Sequence, residues 1–315
     1  MRDLQDRFRG CLIGLAVGDC LGAAFEGQPG PAISARFSSP AKLFARAIGE
    51  TLYYTDDTQM MIGVAEALLA DGEIREATLC RQFVANYVPA RGYGRGARRI
   101  LDAIERGRDY NVVAEEVFPG GSYGNGAAMR VAPVGLLFTG DPQRIDAESA
   151  AQALPTHRHP LGIQGAQLIA AAVAAAMQAE AIDKQSFLLA LRDVVKEPTL
   201  IARLDQATAQ SATSLVELGN GITAQESVVT AIACFVNWPE SFVDAVGNAI
   251  LLGGDTDTIA AMTGAISGAF LGYSAIPASA IQALENEGKG RDYILSLANQ
   301  LFDRHNLIFG KNSTN

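Results

Sequence analysis

The stretch that decides the fold is residues 8–24, FRGCLIGLAVGDCLGAA. A helix over this stretch would carry apolar side chains on most of its faces, as a helix buried on all sides does. Gly14, Gly18 and Gly22 are spaced four residues apart, so they lie along one stripe of that helix. Small residues allow close helix contact, and the stretch is therefore predicted to be a core helix packed tightly against a second one.

Helical periodicity continues through most of the chain. Thr55 opens an apolar helix that Gly72 would end as its C-cap. Further helices are predicted over residues 75–88, 95–106, 126–138, 158–180, 184–195, 223–236, 240–250, 257–271 and 288–304. Strand signals are few, and no linker or repeat divides the sequence. We expect an all-α fold: residues 1–315 as one compact single-domain orthogonal helical bundle.

Composition excludes several functional classes. The formal net charge of −9 argues against non-specific or direct nucleic-acid binding, which needs a surplus of basic residues. The four cysteines are scattered, which is typical of reduced thiols in a cytosolic protein. Residues 168–177 form the most apolar stretch and fall short of the ~20 residues of a membrane span. A charged N-terminus does not resemble a signal peptide. We expect a cytoplasmic monomer that does not bind membranes.

Two acidic clusters begin apolar helices: Thr55-Asp56-Asp57, and residues 255–258, Asp-Thr-Asp-Thr. Helix capping is one explanation, because Asp and Thr are favoured at helix N-termini. Capping explains one acid per helix, but accounts poorly for paired acids and threonines at two helix starts.

Metal binding is the other explanation. Adjacent carboxylates aimed at an apolar interior repel one another and resist desolvation, and a hard cation removes both costs. Carboxylate and hydroxyl oxygens without His or Cys suit Mg²⁺, Mn²⁺ or Ca²⁺. The clusters therefore predict a shared metal site, with capping alone as the alternative.

Seven segments between residues 10 and 272 occur in the order seen in the ADP-ribosylglycohydrolase family, which the chain resembles. They are GCLIGLAVGDCLGAAFEG, YTDDTQM, GYGRGARRIL, GSYGNGAAMRVAP, LPTHRHPLGIQGA, ELGNGITAQESVVTAIACF and LLGGDTDTIAAMTGAISGAFLG. The resemblance is greatest to the subtype that removes ADP-ribose from serine and hydrolyses O-acetyl-ADP-ribose. It implies an all-α fold with a di-metal cleft.

The resemblance also implies a ligand set for two Mg²⁺ ions, with Mn²⁺ as a substitute. Thr55, Asp56 and Asp57 would hold one ion, Asp255 and Thr258 the other, and Asp257 would bridge them. Glu26 matches the family's mobile catalytic glutamate, and the Gly- and Pro-rich residues after it would suit a flexible flap. Asp255 would assist Glu26, whereas Asp19 is expected to have a structural role beneath the site.

The substrate side of the site is predicted from glycine-rich segments. The stretch at 121–126 offers backbone N–H groups at the expected start of a helix, which suits a diphosphate. The resemblance implies that ADP-ribose is bound by Gly121, Ser122, Tyr123, Gly124, Asn125, His157, Gly221 and Ile222. Tyr123 would lie near the adenosine. Arg91, Arg95, Arg98 and Arg99 form a solvated helix face that would at most steer an anionic substrate, while Met60 is expected in the core.

The acidic clusters and the family resemblance together imply a Mg²⁺-dependent hydrolase acting on an ADP-ribose-containing small molecule or an ADP-ribosylated protein. It would cleave the O-glycosidic bond at ribose C1 of serine-ADP-ribose, O-acetyl-ADP-ribose and, as a further substrate, poly-ADP-ribose. Two alternatives stay open: an arginine-directed ADP-ribosyl hydrolase of the nitrogenase-reductase-reactivating type, and a catalytically silent, crystallin-like relative.

Overall fold

The structure, a computed structural model, describes residues 3–310 and contains no β-strand within that range. Helices account for its secondary structure, so the all-α prediction is confirmed. The α-helices are α1 Leu4–Ala23, α2 Gly30–Arg36, α3 Pro40–Ala45, α4 Asp56–Asp71, α5 Glu76–Asn86, α6 Arg95–Glu105, α7 Tyr110–Val117, α8 Ala132–Leu137, α9 Pro142–Ala153, α10 Pro160–Gln178, α11 Lys184–Arg192, α12 Pro198–Ala209, α13 Ala224–Asn237, α14 Phe242–Leu251, α15 Thr256–Leu271, α16 Ala278–Ala283 and α17 Arg291–Phe309. Short 3-10 helices span Ala212–Leu218 and Tyr273–Ala275.

The glycine stripe of α1 packs directly on α15. A Cβ atom on Gly14 would lie 2.3 Å from the carbonyl oxygen of Gly264, and one on Gly18 would lie 2.1 Å from that of Ala260. Such distances leave no room for a methyl group, so the two backbones touch along the stripe. Higher residue numbers on α1 meet lower ones on α15, which makes the pair antiparallel. The predicted close contact of the first helix is thus confirmed, and α15 is its partner.

This helix pair places the two acidic clusters beside each other. Because α1 and α15 are antiparallel, the C-terminal end of α1 meets the N-terminal end of α15: the hydroxyl of Thr256 donates to the carbonyl oxygen of Gly22 at 2.9 Å. Near the same end of α1, the buried carboxylate of Asp19 holds the start of α4. The N-termini of α4 and α15 therefore meet at one end of α1.

The helix predicted over residues 126–138 is wrong in its first half. Residues 126–130 form turns, and α8 begins only at Ala132. The backbone before these turns is hydrogen-bonded to a distant segment. The Asn125 N–H donates to the Ile222 carbonyl, and Gly124 forms an isolated antiparallel β-bridge with Thr223. Tertiary hydrogen bonds thus replace the first helical turns that local propensity favoured. Helices α2, α3, α7, α9, α12 and α16 were not predicted.

Helix α10 is long and apolar enough to cross a membrane by length and composition, but 61% of that apolar window is buried inside the protein. It packs against α8, α9, α13 and α15, as a core helix does. All four cysteines are free and buried, as their scattered positions predicted.

Candidate functional site

The acidic clusters line one cleft with a volume of about 280 Å³. Its acidic residues come from three separate parts of the chain: the turn after α1, the start of α4 and the start of α15. They are Glu26, Asp56, Asp57, Asp255 and Asp257, accompanied by Thr258. The structure thus places these predicted residues around one cleft, whereas Thr55 is not among the residues that line it.

Asp19 anchors the first cluster from below. Its carboxylate accepts the backbone N–H groups of Thr55, at 3.0 Å, and Thr58, at 3.1 Å. The Thr58 hydroxyl donates to the same carboxylate at 2.6 Å. Asp19 lies on α1 and is fully buried, so these hydrogen bonds fix the start of α4 on α1. This arrangement supports the structural role expected for Asp19.

The threonines of the clusters divide into two groups. Thr58 and Thr256 bind Asp19 and the α1 backbone, so they join helices. Thr55 and Thr258 face the carboxylates instead, with their hydroxyls 3.3 and 3.5 Å from Asp57 Oδ2. Asp57 Oδ1 is buried and accepts no hydrogen bond from the described residues. A buried carboxylate oxygen without a donor calls for a further partner, and a cation is one that also offsets the charge.

Burial raises the pKa of every carboxyl group in the cluster, and repulsion from neighbouring acids raises it further for all of them except Asp257. Burial and then the charge of Asp257 raise the pKa of Asp57 and Asp255 well above the ordinary value. Burial and then neighbouring Asp19 raise the pKa of Asp56 to about 8. The cluster thus resists holding its full negative charge without a counterion.

These shifts predict how stability depends on pH in metal-free protein. Burial raises the pKa of Asp19 from 3.8 to about 7 and that of Asp56 from 3.8 to about 8. The folded state then binds more protons than the unfolded state, so the free energy of unfolding should fall as pH rises towards 8. His157, whose pKa burial lowers from 6.5, opposes this trend mainly below pH 6.5, and its effect fades as the pH rises above that value. The window for the test is therefore pH 6.5 to 8.

Urea denaturation across that window, in EDTA and in saturating Mg²⁺, provides the measurement. In EDTA, we expect the free energy of unfolding to decrease as pH rises. In saturating Mg²⁺, it should vary little with pH, because a bound cation keeps the acids ionised in the folded state. Stability that increases with pH in EDTA would contradict the proposed electrostatics.

Glu26 lies in the turn after α1, exposed at the edge of the cleft. One carboxylate oxygen from each of Glu26, Asp255 and Asp257 lies within 4.8 Å of the others. Burial, followed by the charge of Asp257, raises the pKa of Glu26.

The segment after Glu26 pairs with the loop that precedes α15. The Gly27 N–H donates to the Gly254 carbonyl at 2.8 Å, and the Gly254 N–H donates to the Gln28 carbonyl at 2.9 Å. The predicted flap is thus tied to the acidic loop in this structure.

The loop 121–125 forms one wall of the cleft through Ser122, Gly124 and Asn125. The amide nitrogen of Asn125 donates to Asp255 Oδ2 at 2.5 Å and to the Ser227 hydroxyl at 3.0 Å. The Asn125 side chain therefore orients an acidic residue, and its loop does not begin a helix. Gly121 lies behind the wall, where a Cβ would be 2.3 Å from His159 N.

The remaining predicted binding residues lie around the same wall. His157 and Ile222 line the cleft, and Ile222 is 69% exposed. Tyr123 is 54% exposed at the rim, with its ring edge-on to His159. Gly221 packs on Glu226, where a Cβ would lie 2.6 Å from the carboxylate. Gly121, Tyr123 and Gly221 are next to lining residues without lining the cleft themselves.

Several lining residues were missed by sequence reasoning. They include Met60, which was assigned to the core, together with Phe118, Met129, Arg130 and Thr156. Phe118 lies over Gly96 so closely that a Cβ there would be 2.1 Å from the ring. The repeated glycines of residues 92–96 (GYGRG) were the available signal, since a glycine at the start of a helix allows such an approach.

The basic run separates into different roles. Arg95 lines the cleft at the start of α6, whereas Arg91 is bound to Glu285 through two contacts of 2.6 and 2.9 Å. Arg91 also donates to the Tyr54 carbonyl at 2.7 Å, and its own carbonyl accepts the Asp56 N–H at 2.7 Å. Arg91 is therefore a structural residue that holds the backbone at Tyr54 and Asp56, on either side of Thr55 in the first cluster.

Breaking the Arg91–Glu285 pair should destabilise the fold. Glu285→Gln leaves the guanidinium, only 20% exposed, without its anion, and we expect a loss of about 3 kcal/mol of unfolding free energy in urea. The control is Glu116→Gln in the exposed Arg108–Glu116 pair, expected to cost less than about 1 kcal/mol. Equal losses in both variants would contradict this role for Glu285.

The donor set fits a hard divalent cation. Every candidate ligand is a carboxylate or hydroxyl oxygen, the preference of Mg²⁺, Mn²⁺ and Ca²⁺. The unpartnered Asp57 Oδ1 and the raised pKa values of Asp57 and Asp255 favour a positive charge between the clusters. Capping alone leaves both observations unexplained.

The chain is similar to known ADP-ribosyl hydrolases over most of its length. The model of the ADP-ribosylglycohydrolase family matches residues 1–308. The ADP-ribosylhydrolase ARH3 of Mus musculus is 36% identical, covering 89% of this chain and 87% of that protein. Homo sapiens ARH3 is also 36% identical, covering 89% of each. The ADP-ribosylarginine hydrolase Tri1 of Pseudomonas putida is 27% identical, covering 95% of this chain and 78% of its own.

Among solved structures, an ADP-ribosylglycohydrolase-related protein complex superimposes with a TM-score of 0.74 at 25% identity, covering 97% of this chain and 100% of that chain. The family match extends over almost the whole sequence, and it includes both acidic clusters and the loop at 121–125. The chain therefore belongs to the ADP-ribosylglycohydrolase family.

Proposed function

We propose that the protein hydrolyses the O-glycosidic bond at ribose C1 of ADP-ribosyl groups, with serine-ADP-ribose and O-acetyl-ADP-ribose as substrates and poly-ADP-ribose as a further one. The observation that carries this proposal is the convergence of five carboxylates in a cleft whose other wall is the loop at 121–125. Similarity to the ARH3 proteins at 36% identity supports the serine and O-acetyl class over the arginine class, where Tri1 is 27% identical.

Two Mg²⁺ ions, replaceable by Mn²⁺, are proposed to occupy the acidic end. Thr55, Asp56 and Asp57 would hold one, Asp255 and Thr258 the other, and Asp257 both. When bound, the ions supply positive charge that orients the distal ribose and polarises oxygen at the reacting carbon. Asp257 suits the shared position because, after burial, its charge raises the pKa of both Asp57 and Asp255.

The nucleotide is proposed to lie along the opposite wall. Exposed apolar surface on Ile222, Tyr123 and Phe118 suits a nucleobase. Ser122 and Gly124 line the same cleft as the acids, and the diphosphate would lie against their backbone. Arg95, which lines the same cleft, and the N-terminal end of α6, which has no side-chain cap, add positive charge.

Glu26 is proposed as the general acid/base. Burial and then the charge of Asp257 raise its pKa, which is the direction that suits a group that protonates a leaving oxygen. As the C1–O bond breaks, that oxygen takes the proton, water adds to C1, and the glutamate recovers a proton from the water. Asp255, held by Asn125 at 2.5 Å, would assist by orienting the water.

Release of ADP-ribose from serine-linked and arginine-linked peptides and from O-acetyl-ADP-ribose, each with Mg²⁺ and with EDTA, tests this function. We expect Mg²⁺-dependent release from the serine and O-acetyl substrates. Release from the arginine peptide alone would establish the arginine-directed alternative. Tight binding of ADP-ribose without release from any substrate would establish the silent relative.

A further inference from the structure

A chain of buried polar contacts forms part of the cleft lining beside the loop at 121–125. Arg130 and Thr156 are 1% and 2% exposed. Arg130 Nη2 donates to Thr156 Oγ1 at 2.9 Å and to the Gln152 carbonyl at 2.7 Å, and its Nε donates to Gln152 Oε1 at 2.8 Å. Thr156 Oγ1 lies 2.8 Å from His157 Nδ1. Thr156 thus connects the buried guanidinium of Arg130 to His157, a histidine of the cleft.

The direction of the Thr156–His157 hydrogen bond follows from its neighbours. A guanidinium has donors and no acceptor, so Thr156 Oγ1 must accept from Arg130. The hydroxyl hydrogen then needs an acceptor, and His157 Nδ1 is the remaining partner of Thr156 Oγ1 within residues 3–310. The opposite direction would leave a buried hydroxyl hydrogen unsatisfied, which is unfavourable. Nδ1 is therefore the acceptor, and the neutral ring carries its proton on Nε2.

The Nε2 atom faces the glycines of the substrate loop. A Cβ on Gly124 would lie 3.3 Å from Nε2, and one on Gly126 would lie 3.1 Å from it. Glycine at both positions leaves this edge of the ring uncovered on a residue that lines the cleft. No protein acceptor for Nε2 occurs among the described hydrogen bonds. Burial and the nearby charge of Arg130 lower the pKa of His157 to about 3, so the ring is neutral near pH 7.

We propose that Arg130 and Thr156 are positioning residues that fix His157 in its Nε2–H tautomer, so that it donates a hydrogen bond to a phosphate or hydroxyl oxygen of the substrate. A neutral ring held in this way binds an oxygen acceptor without exchanging protons with it. The identity of the ligand rests on the proposed function, whereas the tautomer does not.

Nitrogen-15 NMR of the imidazole rings tests the tautomer directly in the free protein. The chain has three histidines, and His157→Gln assigns the signal. We expect His157 to show an unprotonated Nδ1 and a protonated Nε2 from about pH 6 to about pH 8. A protonated Nδ1, or a ring that becomes doubly protonated in that range, would overturn the proposal.

Variants of Thr156 connect the tautomer to substrate binding. Thr156→Val removes the donor at nearly constant volume, so we expect mixed tautomers and about a tenfold rise in KM for the ADP-ribosyl substrate, with kcat changed much less. Thr156→Ser should restore both readouts. Thr139→Val, which removes another buried hydroxyl bound only to the Gly135 carbonyl, is the control and should alter neither.

An unchanged tautomer and KM in Thr156→Val would refute the positioning role. If that variant fails to fold, a Thr156→Ser protein with the wrong tautomer would refute it equally. Failure of the wild-type protein to bind or cleave any ADP-ribosyl substrate, together with the expected tautomer, would instead reject the proposed function and leave the Arg130–Thr156–His157 arrangement standing.

Discussion

Asp257→Asn is expected to lower kcat/KM by at least about a thousandfold while making the metal-free protein more stable. Asp257 is 5% exposed, and after burial its charge is among the causes that raise the pKa of the other acids around the cleft. Those acids are Asp19, Glu26, Asp56, Asp57 and Asp255. Replacing this carboxylate by an isosteric amide removes the repulsion that a cation would otherwise neutralise.

Turnover assays combined with thermal unfolding in EDTA and in Mg²⁺ measure both effects. The wild-type protein should melt at a higher temperature in Mg²⁺ than in EDTA, because a ligand of the folded state stabilises it. The variant should melt above the wild type in EDTA and gain little from Mg²⁺. Asp205→Asn, at an exposed ion pair with Arg192, is the control and should behave as wild type. Full turnover and a normal response to Mg²⁺ in Asp257→Asn would reject the proposed metal site.

Glu26→Gln is expected to reduce kcat by about 10²- to 10⁴-fold, the usual contribution of a general acid or base. The fold should be unaffected, because Glu26 is exposed in a turn and its side chain has no hydrogen-bond partner that the helices require. Thermal unfolding should therefore still respond to Mg²⁺, which separates loss of proton transfer from loss of the metal site.

The pH dependence of kcat gives a second measure of Glu26. A group that must be protonated to donate its proton produces a fall in kcat as pH rises through its pKa. Since burial and then Asp257 raise the pKa of Glu26, that fall should occur above the ordinary glutamate range and vanish in Glu26→Gln. Glu50→Gln, at another exposed glutamate, should keep the wild-type profile. A Glu26→Gln protein with wild-type kcat would exclude Glu26 from the chemistry.

Local patterns predicted the parts of the site that begin helices. The Asp-Thr clusters at 55–57 and 255–258 mark helix N-termini by their capping preference, and α4 and α15 begin at Asp56 and Thr256. The excess of acids over what helix caps need indicated a bound cation. The family resemblance added Glu26, because a glutamate before a glycine at the end of a helix is by itself usually an ordinary solvated residue.

Local patterns failed where a segment takes its conformation from distant residues. The stretch 121–126 was expected to begin a helix, yet its backbone binds Ile222 and Thr223, nearly one hundred residues away in the sequence. Arg91 was assigned to a solvated face, yet it is paired with Glu285. Phe118 and Arg130 gave no local indication of the cleft that they line.

By itself, the sequence determined the helical fold class, the contact of the first helix through its glycine stripe, and the two acidic helix starts, because each of these depends on residues within a few turns of one another. Only the tertiary structure decided which acids face one another, how Asn125 holds Asp255, and which nitrogen of His157 carries the proton. Those features depend on hydrogen bonds and charges between segments far apart in the chain, whose energies are set by burial and by distances that no local pattern encodes.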